Sequence, residues 1–236
     1  MIDLSIVIPI HNEKEILENE VRKLTLALET AVAGRDYEIL LVENGSSDKT
    51  PEIASNLSRN LPKIRVIALQ NGDYGAAMKE GILQSRGQYA AIFNIDFWDI
   101  EALKKTLYLF ENEKKDVVVC SKAMRGAQDR RSWKRRALNR IYNLSLRVLF
   151  NYRGTETHGI KFLRLEPIIP ILKKCWTSGA MLDTELLLRA QDAGLKIAEI
   201  PVICEEKRKS VFGLSKHLPR VFKDTLALFI ELRLKI

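Results

Sequence analysis

LSIVIPI, Leu4 to Ile10, is a continuous apolar run rich in β-branched residues, and it breaks at His11-Asn12-Glu13. Such a run suits a strand buried on both faces of a parallel sheet, since a half-exposed strand would alternate. A helical pattern follows. Leu17, Val21, Leu24, Leu28 and Ala31 recur at spacings of four and three and mark one buried face, and Gly34 stops it. The unit then repeats. Tyr37 to Val42, Ile64 to Leu69, Tyr89 to Ile95 and Asp116 to Cys120 read as strands. Between them lie helices at about Thr50 to Asn60, around Met78 to Leu83 and from Ile100 to Asn112. This rhythm predicts a single α/β domain with a doubly wound, mostly parallel sheet flanked by helices.

Ligands of such sheets sit beyond the carboxyl ends of the strands. Those ends are polar here: His11-Asn12-Glu13, Glu43-Asn44, Asn71-Gly72-Asp73 and Asn94 to Asp96. In FNIDFWD, Phe93 to Asp99, the strand finishes on Asp96, while Asp99 is the expected cap of the next helix. A lone strand-end carboxylate is either a helix cap or a metal ligand. Magnesium takes one or two protein carboxylates and completes its shell with phosphate oxygens and water. Asp48 has the same two readings, as cap or as site acid. Gly72 and Gly75 read as turn geometry.

The 236 residues carry a net charge of +8, which favours an anionic partner. Neither GxxxxGK[ST] nor GxGxxG occurs, the first turn being PIHNE, so a P-loop and a dinucleotide fingerprint are excluded. Cys120, Cys175 and Cys204 show no metal or disulfide spacing, and the expected setting is reducing and cytoplasmic. MIDLSIVIPI reads as a strand rather than a signal peptide, and no run of eighteen apolar residues spans a membrane. His11, His158 and His217 lack metal spacing, and His158 reads either as a satisfied loop histidine, the default, or as a residue of the acceptor site. The basic stretch Arg125 to Arg136 has one aromatic, Trp133, rather than an interleaved set for stacking, so nucleic acid is not an expected partner. Trp133 to Phe150 (WKRRALNRIYNLSLRVLF) forms a basic amphipathic helix, with Leu138, Ile141, Leu144, Leu146, Val148 and Leu149 as its apolar side. That side either meets a membrane surface or packs on the domain. A strand at Ile160 to Leu163, a helix at Asp183 to Ala193, a strand at Lys196 to Ile200 and a helical segment from Pro219 complete the pattern.

Five stretches, in this order and spacing, resemble the family 2 glycosyltransferases of GT-A (Rossmann-like) fold, and within them the polyprenyl-phosphate sugar synthases of the dolichol-phosphate mannose synthase type. They are SIVIPIHNE (Ser5 to Glu13), EILLVENGSSDKT (Glu38 to Thr50), NGDYGAAMKEGILQSRGQY (Asn71 to Tyr89), THGIKFLR (Thr157 to Arg164) and LDTELLLRAQDAGLKIAEIPV (Leu182 to Val202). The resemblance implies a glycosyltransferase domain over residues 1–216, with 217–236 as a C-terminal amphipathic helical segment. It implies metal-dependent (Mg²⁺ or Mn²⁺), inverting transfer of a hexose, mannose or glucose, from a nucleotide-sugar donor. The acceptor would be polyprenyl or dolichyl phosphate, met by a peripheral protein at the cytoplasmic, inner face of the membrane. Pro9, His11 and Glu13 would line the nucleotide pocket, with Gly72 in the glycine-rich segment, Glu43 facing the base and Asp48 as the acid later in that turn. Asn94-Ile95-Asp96 falls on the DxD motif, with Asp96 the metal acid and Asn94 in place of the first Asp. Arg131, Lys161, Arg208 and Lys216 would meet phosphate oxygens. A lipid phosphate needs no strong base, whereas a glycan hydroxyl does, for which Asp183 and Glu185 are the candidates. A non-catalytic protein that binds nucleotide-sugar or a partner is the reading from another class, and a homo-oligomer through LALFIELRLKI is left open.

Overall fold

The structure is a computed structural model that describes residues 2–205 and 214–234, with side chains in the last helix from residue 221. The alternation is the expected one: β1 (Leu4–Ile10), α1 (Leu17–Ala31), β2 (Tyr37–Asn44), α2 (Thr50–Asn60), β3 (Ile64–Leu69), α3 (Tyr74–Leu83), β4 (Tyr89–Ile92), α4 (Ile100–Asn112) and β5 (Val117–Ser121). The second half follows with β6 (Gln128–Asp129), α5 (Trp133–Phe150), β7 (Lys161–Arg164), α6 (Leu165–Lys174), α7 (Met181–Asp192), β8 (Ile197–Pro201), β9 (Ile203–Cys204) and α8 (Leu214–Phe229). A π-helical turn, Ile230–Leu234, continues α8.

Seven strands form one sheet in the order β3-β2-β1-β4-β7-β5-β8, and β6 pairs with β9 in a two-stranded ribbon. β1, β2, β3 and β4 run parallel, as do β5 and β8, but β7 is antiparallel to both of its neighbours. Two cores cover the two faces. Leu17, Val21, Leu24 and Leu28 of α1 and Leu103, Leu107 and Phe110 of α4 pack on Ile6, Ile8, Ile39 and Phe162. On the other face Met78 of α3, Leu146 and Phe150 of α5, Ile168 of α6 and Leu182 to Leu188 of α7 pack on Ala90, Val117 and Leu163. Gly81 lets α3 sit directly on the sheet, because a Cβ there would lie 2.4 Å from Val7 Cγ1.

Several elements depart from expectation. β4 stops at Ile92, where a strand to Ile95 is predicted. Phe93 N still donates to Val7 O, but Asn94 and Phe97 then bond each other in both directions and turn the chain. α6 lies where no helix is predicted, and it carries two prolines, Pro167 and Pro170. Pro167 falls in the first turn, where no intrahelical donor is needed, and burial of Leu165, Ile168 and Leu172 outweighs the bond lost at Pro170. The boundary expected after Lys216 falls inside α8, whose Leu228 is buried in the second core. α5 matches its predicted span, but its apolar residues divide: Leu146 is buried, while Ile141, Leu144, Val148 and Leu149 face outward.

The amino edge of the sheet is closed by one buried acid. Glu38, 3% exposed, accepts from Ser5 Oγ (2.8 Å), Arg86 N (2.7 Å) and Arg65 Nη1 (2.6 Å). It thereby ties β1, β2, β3 and the loop before β4. Glu38→Ala leaves these donors unmatched, and with Arg65 partly solvated the cost falls at the low end for a broken buried pair, about 3 kcal/mol. Thermal unfolding should show a fall in Tm of about 10 °C.

Candidate active site

β1 lies between β2 and β4, so the direction of winding reverses at β1 and a crevice opens at the carboxyl ends of these strands. Three loops at that edge are laced together. His11 Nδ1 lies 2.8 Å from Asn44 O. Asn12, at φ +55°, donates its amide to Ser46 Oγ and accepts from Ser47 N, and Glu13 N donates to Thr50 Oγ1. Glu43, 5% exposed, accepts from Ser46 N at 2.6 Å, and Asn44 Oδ1 accepts from Asp73 N at 2.8 Å. Gly45 has φ +66°, and a Cβ on it would lie 2.9 Å from Gln70 O, so only glycine closes this turn. Gly72 sits beside His11 and Asn44 O. His11, Glu13, Glu43 and Gly72 thus share one loop cluster, with Pro9 half-buried near the end of β1. Asp48 belongs to the turn itself: Oδ1 accepts from Thr50 N and Oδ2 from Lys14 N. Those bonds, first to Thr50, outweigh desolvation and hold its carboxyl below the usual range.

Beside this cluster a cleft of about 250 Å³ opens between the Asn94–Phe97 turn and the start of β7. Asn94, Asp96, Lys122, Arg131, Arg135 and His158 line it. The antiparallel run of β7 makes this possible. Lys161 pairs with Ile92 and Val119, so the loop before β7 arrives at the same edge where β4 and β5 end. Lys122 and Arg135 were not among the residues singled out from sequence. The available signal was their place, just after a strand end and one turn into a basic helix.

Other expected site residues are committed elsewhere. Ile95 is 3% exposed and packed in the first core, so its side chain is closed to a ligand. Lys161, expected to neutralise phosphate, is 1% exposed and donates to Gly159 O, with Nζ 2.7 Å from Asp183 Oδ1. That pair also corrects the reading of Asp183 as a base, because its carboxylate is buried against a cation. Glu185 is fully buried on the far side of α7. Its Oε2 accepts from Trp176 N, Thr177 N and Thr177 Oγ1, and its Oε1 from Arg189, so it anchors a loop, and its burial closes it to a substrate. Arg131 lines the cleft with its guanidinium held bidentately by Asp129. Arg208 lies outside the described residues, as does the side chain of Lys216.

The cleft wall is fastened by Glu156, which sequence reading passed over. Its Oε1 accepts from Thr157 N and His158 N, and its Oε2 from Asn139 of α5, with Lys122 Nζ at 3.2 Å. Burial raises its pKa, but Lys122, the His158 amide and Asn139 outweigh that and hold the carboxyl below the ordinary glutamate range. The stability it adds is therefore present above the unfolded-state value and is lost as pH falls through the lower folded-state value. Glu156→Gln should flatten the acid limb of Tm against pH, from the ordinary glutamate pKa downward, read by calorimetry.

Comparison with known proteins gives the same picture. The family model for "Glycosyl transferase family 2" matches residues 5–172. "Glycosyltransferase AglD" of Haloferax volcanii is 30% identical over 221 residues, which cover 92% of this chain and 35% of that protein. "Dolichyl-phosphate beta-glucosyltransferase" of Saccharomyces cerevisiae is 26% identical over 249 residues, covering 94% of this chain and 72% of that one. The chain spans about a third of the first relative and under three quarters of the second. Among solved structures, glucosyl-3-phosphoglycerate synthase of Mycobacterium tuberculosis, in complex with Mn²⁺, UDP and phosphoglyceric acid, superimposes with a TM-score of 0.71 at 17% identity. The match covers 96% of this chain and 78% of that one, and it bears out the expected GT-A fold. On the family match and the sheet-edge crevice together, the chain belongs to glycosyl transferase family 2.

Proposed function

We propose that this chain transfers glucose from a nucleotide-sugar donor to a polyprenyl phosphate, with inversion at the anomeric carbon. The sugar is taken from the names of the dolichyl-phosphate beta-glucosyltransferases among its relatives, and it narrows the expectation of mannose or glucose. One observation carries the choice of acceptor. Both carboxylates expected to serve as a base for a hydroxyl, Asp183 and Glu185, are buried and bonded away from the cleft, while Lys122, Arg131 and Arg135 line it, the first two with Glu156 and Asp129 as their partners. A phosphate monoester is already an anionic nucleophile and needs cations around it rather than a base.

Asp96, at the tip of the turn after β4, is the acid for a divalent cation, Mg²⁺ or Mn²⁺. Among the described residues no three His, Cys, Asp or Glu side chains converge to hold a cation unaided. The donor set therefore fits a cation that arrives with a diphosphate, whose oxygens supply the remaining ligands. When bound, such an ion offsets charge building on the leaving diphosphate. The chain's own part is positional. The loops of His11, Glu43 and Gly72 form the wall for the nucleotide, Asn94 places an amide beside Asp96, and Lys122 and Arg135 receive the acceptor's phosphate oxygens. Bound at a hundredfold excess over Kd, UDP-glucose with Mn²⁺ should add about 2.7 kcal/mol to stability and raise Tm measurably. GDP-mannose should do so far less, and Asp96→Asn should lose the metal-dependent part and drop kcat by about a hundredfold or more. An equal shift with GDP-mannose, or one indifferent to Asp96, argues against the assignment.

The acceptor's chain calls for a membrane surface, and α5 has the matching face. Trp133, Ile141, Leu144 and Val148 form one outward row, 67, 64, 59 and 76% exposed, flanked by exposed Lys134, Arg136, Arg140 and Arg147. α8 lies beside it through Phe150 and Phe229 and adds outward Phe222 and Leu226. No helix among the described residues is long and apolar enough to cross a membrane. Basic residues flanking an apolar row suit anionic headgroups, at about 1 kcal/mol each. Ile141→Glu combined with Val148→Glu should cut partitioning onto phosphatidylglycerol vesicles at least tenfold in a sedimentation assay, while the UDP-glucose Tm shift persists. Undiminished partitioning would exclude α5 as the contact.

A further inference from the structure

A line of hydroxyls leads from α5 to the cleft. Tyr142 OH lies 2.9 Å from Thr184 Oγ1, Thr184 Oγ1 donates to Thr157 Oγ1 at 3.1 Å, and Thr157 Oγ1 lies 3.0 Å from His158 Nδ1. Tyr142 OH also meets Met181 Sδ at 3.6 Å, a weak acceptor, and the hydroxyl of Thr225, whose own proton goes to Val221 O. Each hydroxyl has one proton. If Tyr142 donates to Thr184 and Thr184 to Thr157, the Thr157 proton is left for His158 Nδ1, which must then be the unprotonated nitrogen. The remaining nitrogen, Nε2, carries the hydrogen, and it has no partner among the described residues. Tyr142 packs against the His158 ring with ring centroids 5.4 Å apart, and the His158 backbone is held at N by Glu156 and at O by Lys122.

We propose that His158 offers Nε2–H as a hydrogen-bond donor to the acceptor's phosphate, and that Thr157, Thr184 and Tyr142 are positioning residues that set its tautomer. The proposal rests on the functional reading above. It takes up the acceptor-site reading of His158 in place of the satisfied loop histidine, and it separates the residue from a proton acceptor, since this tautomer presents no lone pair to the cleft. Burial pushes the imidazole pKa below its ordinary value; Asp183 opposes this, Lys161 adds to it, Glu156 opposes and Lys122 adds, so the ring is neutral at pH 7. A neutral donor suits this place. Lys122, Arg131 and Arg135 line the cleft together with Asp96 and Glu205, and a donor without charge adds direction to the binding of a phosphate oxygen while leaving that charge balance unaltered.

The test has two arms. The chain has three histidines, so long-range ¹H–¹⁵N correlation on histidine-labelled protein at pH 7 resolves each ring. His158 should show the Nε2–H tautomer, and Thr157→Val should lose that single tautomer. An Nδ1–H signal in the unaltered protein overturns the proposal. In the second arm, calorimetric titration with farnesyl phosphate should give about tenfold weaker binding for His158→Ala and near-normal binding for His158→Gln, which restores a neutral donor. UDP binding should be unchanged in both, and matching far-UV spectra confirm that both variants are folded. Equal farnesyl phosphate affinity in His158→Ala overturns the assignment of His158 alone, and a loss confined to UDP places the donor on the wrong substrate. An unaltered protein that binds no farnesyl phosphate overturns the lipid-phosphate reading, and with it the ligand named here, whatever the tautomer.

Discussion

The insertion of β7 between β4 and β5, running against both, is the constraint on which the cleft depends. A parallel strand in that place would bring the end of β7 to the active edge and send the loop 155–160 to the opposite one. Antiparallel pairing does the reverse, and the Lys161–Asp183 pair makes the register costly to change. A slip by one residue would turn Lys161 toward the apolar first core and away from its carboxylate, leaving two buried charges unmatched. The ion pair therefore earns its burial by fixing where the loop begins.

From that register the rest follows in short steps. Glu199 on β8 accepts from Thr155 N, Thr155 Oγ1 and Glu156 N, and Glu156 in turn accepts from the next two amides. A loop whose amides are so occupied has little freedom, and an active-site wall gains from that, because a loosely held group must be ordered at each turnover. The polar hub of Glu156, Lys122 and Asn139 costs desolvation, and its hydrogen bonds offset that cost only as a complete set.

Much of this was legible in the residues. Apolar runs located the strands, the spacing in Trp133 to Phe150 located α5 to the residue, and Asp99 caps α4 through Ala102 N as expected. The direction of β7 was not legible, since the pleat of a four-residue strand is the same whichever way it runs. Nor were the fates of Asp183 and Glu185. Nearly every residue from Met181 to Ala190 is buried, so α7 has no solvent face against which a polar residue could be placed. A glutamate that closes a loop and one that takes a proton look alike until their partners are seen. Lys122 carried no periodic signal, being a lone cation after a strand.

α5 is held to two standards at once. Asn139, Tyr142, Asn143 and Leu146 look inward, and their partners are Glu156, Thr184, a backbone carbonyl and the second core. Ile141, Leu144 and Val148 look outward and touch little of the fold. The helix should therefore drift at two speeds across related sequences, alternating about every 3.6 residues. Its inner positions are restrained by exact partners. Its outer ones are free in identity and restrained, where a surface is to be met, in polarity alone.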